Sequence, residues 1–579
     1  MEIILDNKKK ISMILQLVLI YAWLTVLSVL SVTDTYYSVY IFCGALGFLC
    51  VYANYKNVGT MDYQSSWARW SLSVVFSLSV VMANYQLFEP LTVLENIFNV
   101  CCCFAGGLSI GNAILLYLQV RLPLDRKKNP EKGAGLVFFA VFSLICLIDL
   151  LYLFFSCYPG ILTRDSISTI SQIVGDSGYN NTMPFWHTVT VKPFIKLGLR
   201  LFGNMNAAVG CFHVAQVLYM AACMAFVVMT LYQSGVPGYF LVMVAIIYAF
   251  QPHNIVYSIT LWKDVPFAGA TSVIIVSLYR ILRGIGKRKI LNYFLFILGA
   301  LGFSLWRTNG WYAFLATFFV MIFLLRHKNK YLLILMATML IVCWILINPL
   351  LDVLGVSSTN LVEAFAVPMQ QVARVIAQGR ALTEEETQLL GEIFLLEKIP
   401  GLYDPITVDP IKFETFRYDQ VDYIVNNALK YVHLYLSLAV KYPGDYLKAW
   451  IDETKGYWNA GYFYWIYTLK NASNPYGIET VVRENLIAKM FAALFRFLEK
   501  PAILQPLTSI GLHVWALVSC TFINIAKKKT ELLLSIPLLV LIVGLWIGTP
   551  VFAEFRYAYP IVLCMPFILG VTIFTPDPK

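Results

Sequence analysis

Charge is scarce in this chain. Only 13% of its 579 residues are Asp, Glu, Lys or Arg, where soluble domains carry about 25%. With 59% hydrophobic residues and a mean hydropathy of +0.69, the composition excludes an ordinary soluble protein. Other absences narrow the chemistry. The 12 Cys lie mostly inside apolar runs, Cys101-Cys102-Cys103 among them, and none has metal-ligand spacing. Neither a zinc site nor a disulfide framework is therefore supported. No small-residue cleavage site follows the first apolar run, 11–31, which reads as an anchor and not as a signal peptide. There is no Walker loop, no paired dinucleotide motif and no nucleophile elbow, which argues against cytoplasmic use of ATP or a nucleotide-sugar. The net charge of +10 does not point to nucleic acid, because the basic residues cluster at the ends of apolar runs.

What is present is a series of about fourteen apolar runs of membrane-crossing length. They fall near 11–31, 35–54, 70–87, 94–119, 134–155, 206–232, 236–252, 265–281, 290–306, 311–325, 331–349, 505–526, 532–549 and 557–574. The fold class is an all-α polytopic membrane protein. Between the runs lie five basic clusters: Lys8–Lys10, 121–132, 280–289, 326–330 and Lys527–Lys529. Short basic loops stay in the cytoplasm, and alternation then puts every cluster on one side. The implied location is a cell membrane crossed many times. Residues 350–504 carry 18 acids and 14 bases, an inversion of the chain's overall sign that suits an extracytoplasmic, mostly helical domain. Four parts follow: a four-helix extension (1–133), a seven-helix block (134–349), the outer domain (350–504) and a three-helix end (505–579).

The same alternation sends four polar constellations outside. The first is Tyr158-Pro159-Gly160 followed by Arg164-Asp165-Ser166. Asp165 or Ser166 either caps the amphipathic piece after it or serves chemistry, and the two roles can coexist; His187 follows in the same loop. The second holds His253 and Trp262-Lys263-Asp264. Lys263 is either an interfacial anchor paired with Asp264 or a phosphate ligand. The third is Arg307-Thr308-Asn309-Gly310, a tight turn with an arginine at a span end. The fourth is Glu554-Phe555-Arg556-Tyr557, where Glu554 and Arg556 either pair or present a guanidinium fork to a lipid-linked phosphate. The aromatic run 456–465 either lies at the membrane interface or stacks on sugar rings. Asn471-Ala472-Ser473 is a formal glycosylation sequon.

An Asp in the first long outer loop, two amphipathic segments after it and charged motifs in later outer loops resemble the GT-C superfamily of integral-membrane glycosyltransferases. The wording of the motifs is similar to a bacterial family of membrane proteins, the DUF6020 type, over roughly 134–579. Its residues here are YPG…RDS at 158–166, WKD at 262–264, RTNG at 307–310, Val367 to Arg374, and EFRYAYP at 554–560. The resemblance implies that 134–349 is a GT-C-like seven-helix catalytic module. It also implies a polyprenyl-phosphate-linked sugar donor, a glycan, polymer or lipid acceptor, and inverting transfer at the outer face with Asp165 as general base. Arg164, His187, His253, Lys263, Asp264, Arg307, Asn309, Glu554, Arg556 and Tyr557 would bind substrate. The family pattern admits a divalent cation, Mg or Mn. Asp165 stands alone where many members carry a second acid, so the resemblance leaves metal dependence open. Competing readings are a polysaccharide polymerase or ligase using a diphosphate-linked donor, a transporter or flippase of lipid-linked sugars, and a non-catalytic scaffold. The charged residues noted above lie at span ends, which weighs against transport.

Overall fold

The structure, a computed structural model, describes residues 2–30, 37–56, 66–121, 132–286, 289–325, 329–357, 362, 365–462, 471–482, 484–499 and 505–575. The basic residues at 122–131, 287–288 and 326–328 and the aromatic residues at 463–465 lie outside them. Nearly every described element is a helix. Two two-residue strands, Cys157–Tyr158 and Val481–Val482, pair antiparallel.

Every apolar run read from the sequence lies on a helix. Eight are long and apolar enough to cross a membrane: Lys9–Val29, Tyr37–Lys56, Val93–Val120, Ala134–Phe155, Met205–Gln233, Asp264–Arg283, Lys330–Val353 and Phe555–Phe574. Gly238–Phe250 and Pro252–Ser258 add a ninth if taken together, although Pro252 breaks them by 52°. A proline at the first helical position restarts a helix and cannot continue one. Five more apolar helices are shorter, including Lys289–Leu305, Ile510–Ala526 and Leu532–Gly548.

The four largest apolar cores among the described residues follow from this arrangement. The largest joins the helices of 134–347 to the three C-terminal ones, so Phe555–Phe574 packs against Asp264–Arg283 and Met205–Gln233. A second fills the N-terminal helices and reaches Ala460. Hydrogen bonds tie that bundle down: Tyr40 donates to Asn459 Oδ1 (3.0 Å) and Tyr85 to Asp452 Oδ2 (2.7 Å). The third core lies within 362–446. The fourth lies under two short helices, Arg164–Val174 and Phe185–Phe202, the amphipathic pieces expected in the first outer loop.

Candidate functional site

The loop carrying Asp165 is fixed before Asp165 is reached. Gly160 has φ +117°, and a Cβ there would stand 2.1 Å from His213 Nδ1, so only glycine fits. Ile161 then pairs in parallel with Thr260: its N–H donates to Ile259 O (2.8 Å), and Leu261 N–H donates to Ile161 O (3.2 Å). Ser166 Oγ donates to Leu261 O (2.7 Å), and Trp262 Nε1 donates to Thr163 Oγ1 (2.7 Å). Two loops about 100 residues apart are thus laced in register, which sets Asp165 beside Trp262-Lys263-Asp264. The helix cap is formed by neither candidate alone. Thr163 is the N-cap, and its N–H donates to Ser166 Oγ at 2.9 Å. Asp165, in the first turn, is released from capping.

Its carboxylate instead meets the last span: Asp165 Oδ2 lies 2.8 Å from Arg556 Nη1. Arg556 Nε faces Glu554 Oε1 at 3.5 Å, and its guanidinium lies 5.0 Å from the Trp262 ring. Arg307 Nη1 lies 3.2 Å from Asp264 Oδ1, with its guanidinium 4.6 Å from the Tyr557 ring. Three cations and three carboxylates from four distant segments therefore form one cluster. The pairing differs from the expected one in two places. Lys263 does not bond Asp264, because its Nζ turns to Thr182 O (2.9 Å) while Asp264 takes Arg307. Arg556 holds Asp165 more closely than its neighbour Glu554. The turn is also shorter than expected. Only Trp306 and Arg307 separate two helices, and Thr308–Leu325 starts at once. A Cβ on Gly310 would stand 1.8 Å from Phe303 O, so glycine alone permits this tight junction.

The other sequence candidates are not all brought in. Arg164 and Asn309 are exposed, and neither enters the cluster's ion pairs. His253 is fully buried and stacks on Phe555 (4.0 Å, 27°), a packing role beneath the site. His187 is buried near Lys263, and its Nε2 has no hydrogen-bond partner among the described residues. Val367 to Arg374 serves the core within 362–446, and Arg374 pairs with Asp452 at 2.9 Å. Asn471 Oδ1 accepts from Leu162 N–H (2.8 Å), so the sequon is a structural tie.

Three participants were missed. Thr182 holds Lys263 through a backbone carbonyl, which no sequence motif reveals. Tyr457 is fully buried, accepts from Glu554 N–H (3.0 Å) and donates to Val551 O (3.0 Å). It belongs to the aromatic run read as interfacial. That reading fails at Tyr457 because its hydroxyl anchors the entry to the last span. Lys412, on the short helix Asp409–Glu414, is buried and adds positive charge near Asp165.

The electrostatics divide the two carboxylates on Arg556. Burial alone would raise Asp165, but Arg556 and Lys263 outweigh it and hold the carboxyl below its ordinary value. Burial raises Glu554 despite Arg556, helped by Asp264 and Asp165. Burial lowers Lys263 even with both aspartates near. Burial and Lys263 push His187 down to about 3, so it is neutral at physiological pH. Among the described residues no three His, Cys, Asp or Glu side chains could hold a metal ion. Asp165, Asp264 and Glu554 each already face a guanidinium, so this donor set does not suit Mg or Mn, and no step is derived through one.

A cavity of about 650 Å³ lies beside the cluster, between Met205–Gln233, Asp264–Arg283 and Lys289–Leu305. None of the cluster's charged residues lines it. Asp165 stays one-third exposed at the cluster's edge. The cavity's near end is walled by Trp186 and Trp306, the chain neighbours of His187 and Arg307; Trp306 Nε1 donates to Thr190 Oγ1 (3.2 Å).

These features define a helical protein whose long apolar helices can cross a membrane, with one compact ion cluster at helix ends. The model of a family of unknown function, DUF6020, matches residues 176–575, and the chain belongs to that family. The match begins after Asp165, so of the motifs noted above WKD, RTNG, Val367 to Arg374 and EFRYAYP lie within it and the YPG–RDS segment does not. No curated protein and no solved structure matches the chain.

Proposed function

We propose that the protein is a membrane glycosyltransferase of GT-C type that transfers a sugar from a polyprenyl-phosphate donor to a glycan, polymer or lipid acceptor on the outer face. The reading takes fourteen crossings: the eight long helices, the bent pair as one, and the five shorter helices. The observation that carries it is the convergence of Asp165, Lys263, Asp264, Arg307, Glu554 and Arg556 beside an apolar groove. An acceptor hydroxyl attacks the anomeric carbon, and the bond from that carbon to the phosphate oxygen breaks. The electron pair leaves with the phosphate, and the proton passes to Asp165. Lys263, Arg307 and Arg556 stabilise the charge growing on the phosphate. Displacement at one face inverts the anomeric centre.

Burial raises Glu554 above its ordinary value, so the cluster's carboxylates neutralise its three cations less fully than their number suggests, which favours an anionic phosphate beside them. One observation favours a second reading. Asp149 lies within the Ala134–Phe155 span, fully buried and facing Ser258. An ionisable group inside a span is what a transporter requires, and it weakens the argument from span-end charges.

The test is transfer by the purified full-length chain in liposomes supplied with polyprenyl-phosphate sugars and cell-envelope polymer. Release of polyprenyl monophosphate, lost in Asp165→Asn, is the expected result. Movement of the intact lipid-linked sugar across the bilayer without release would replace this reading with transport.

A further inference from the structure

The end of the cavity away from Asp165 carries a charge that the protein does not neutralise. The cavity follows Lys289–Leu305 from Asn292 to Trp306, fourteen residues at about 1.5 Å each, or roughly 20 Å. That is about two-thirds of a bilayer's hydrocarbon core. Its middle is apolar, and Leu291 and Leu298 on its wall are nearly half-exposed, so the groove opens sideways to lipid.

Arg280 closes the far end and is 6% exposed. Its Nε donates to Asn292 Oδ1 (2.8 Å), and its Nη1 donates to Thr230 Oγ1 (3.0 Å) and to Gln233 Oε1. All three acceptors are neutral. Its Nη2 has no acceptor among the described residues. Arg283, one turn further along the same helix, differs: it has a carboxylate partner, Glu531. A buried guanidinium held only by neutral groups keeps an uncompensated charge, which is costly in an apolar setting. A phosphate oxygen would supply both the missing acceptor and the countercharge.

We propose that Arg280 and Asn292 bind the phosphate of an anionic phospholipid from the leaflet opposite Asp165, with one acyl chain lying in the groove. The apolar length favours a lipid over a free anion. The basic cluster at 280–289, where this helix ends, attracts anionic lipid to the same leaflet. The site is independent of sugar transfer, because it sits at the other end of the groove.

The test uses the full-length protein in nanodiscs of equal phosphatidylglycerol and phosphatidylcholine, with retained lipid counted by native mass spectrometry. Wild type should retain phosphatidylglycerol about fivefold or more over phosphatidylcholine. Arg280→Gln should abolish that preference. Leu298→Trp, which blocks the middle of the groove and leaves Arg280 in place, should reduce retention of the lipid itself. Because it spares the Arg280 hydrogen bonds, it decides the matter if Arg280→Gln does not fold: undiminished retention by Leu298→Trp then overturns the proposal. Equal retention of the two lipids by wild type, or an unchanged preference in a folded Arg280→Gln, also overturns it. Displacement of the lipid by millimolar inorganic phosphate would reassign the site to a free anion.

Discussion

Asp165→Asn separates a proton-accepting Asp165 from a merely structural one. The structural cost is small and can be bounded. Asp165 is one-third exposed, and its pair with Arg556 spans 2.8 Å. A solvent-screened pair is worth about 0.2–1 kcal/mol, and a carboxylate in a helix's first turn adds about 0.3–1 kcal/mol from the helix dipole. Asn keeps an acceptor oxygen for Arg556, and Thr163 and Ser166 keep the cap. The loss should stay under about 2 kcal/mol, visible as a shift of a few degrees in a thermal melt. Loss of a general base costs about 10²–10⁴ in rate. Polyprenyl-phosphate release in liposomes at equal protein, read beside the melt, compares the two effects. Release within about threefold of wild type would refute the assignment of Asp165 as base. Release preserved in Asp165→Asn but lost in Glu554→Gln would move that role to Glu554.

Lys263→Ala and Arg556→Ala should raise the donor concentration needed for half-maximal transfer by about tenfold or more, since each removes charge from the phosphate end; an unchanged donor dependence counts against phosphate binding. If donor binding needs neutral Glu554, affinity should fall as pH rises through its raised pKa, and Glu554→Gln should flatten that titration. The two carboxylates also have opposite effects on stability. A raised Glu554 gives stability that is fully present below its unfolded value and lost as pH rises through its folded value. A lowered Asp165 gives stability that is present above its unfolded value and lost as pH falls through its folded value. Gly310→Ala should destabilise by about 2 kcal/mol or more, because its methyl meets Phe303 O; a melt within one degree of wild type would contradict the tight junction. Cysteines engineered at 121–133 should be inaccessible to impermeant reagent from outside intact cells, and those in 384–393 accessible; labelling at 121–133 would overturn the sidedness and the outer site with it.

The helices were legible because hydropathy over about 20 residues is a local property: the run near 134–155 reappears as Ala134–Phe155. The grouping of Lys263, Arg307 and Arg556 was legible because each lies where an apolar helix begins. Pairing was not. Asp264 takes Arg307 and leaves its neighbour Lys263 to a carbonyl, because the junction at Gly310 brings Arg307 to it from more than 40 residues away. Tyr457 was misjudged for a related reason. An aromatic residue bonded through its hydroxyl to a distant backbone has the same local pattern as one at an interface. Asp149 was overlooked because one acid barely lowers the hydropathy of a 22-residue apolar helix.

Under the proposed transfer reaction, the shared guanidinium would couple donor to acceptor. In the structure Arg556 bonds Asp165, and that pairing holds Asp165 ionised but makes it a weak base. A donor phosphate within reach of Arg556 competes for the same N–H groups. Each one it takes relieves Asp165 of a stabilising partner and raises its affinity for a proton. The base then strengthens only when a leaving group is in place, so an acceptor hydroxyl bound without donor is not activated. Glu554 is the weaker partner for this coupling, because it lies 3.5 Å from Arg556 where Asp165 lies 2.8 Å away. The arrangement makes the Asp165–Arg556 pair, rather than either residue alone, the element on which ordered binding depends.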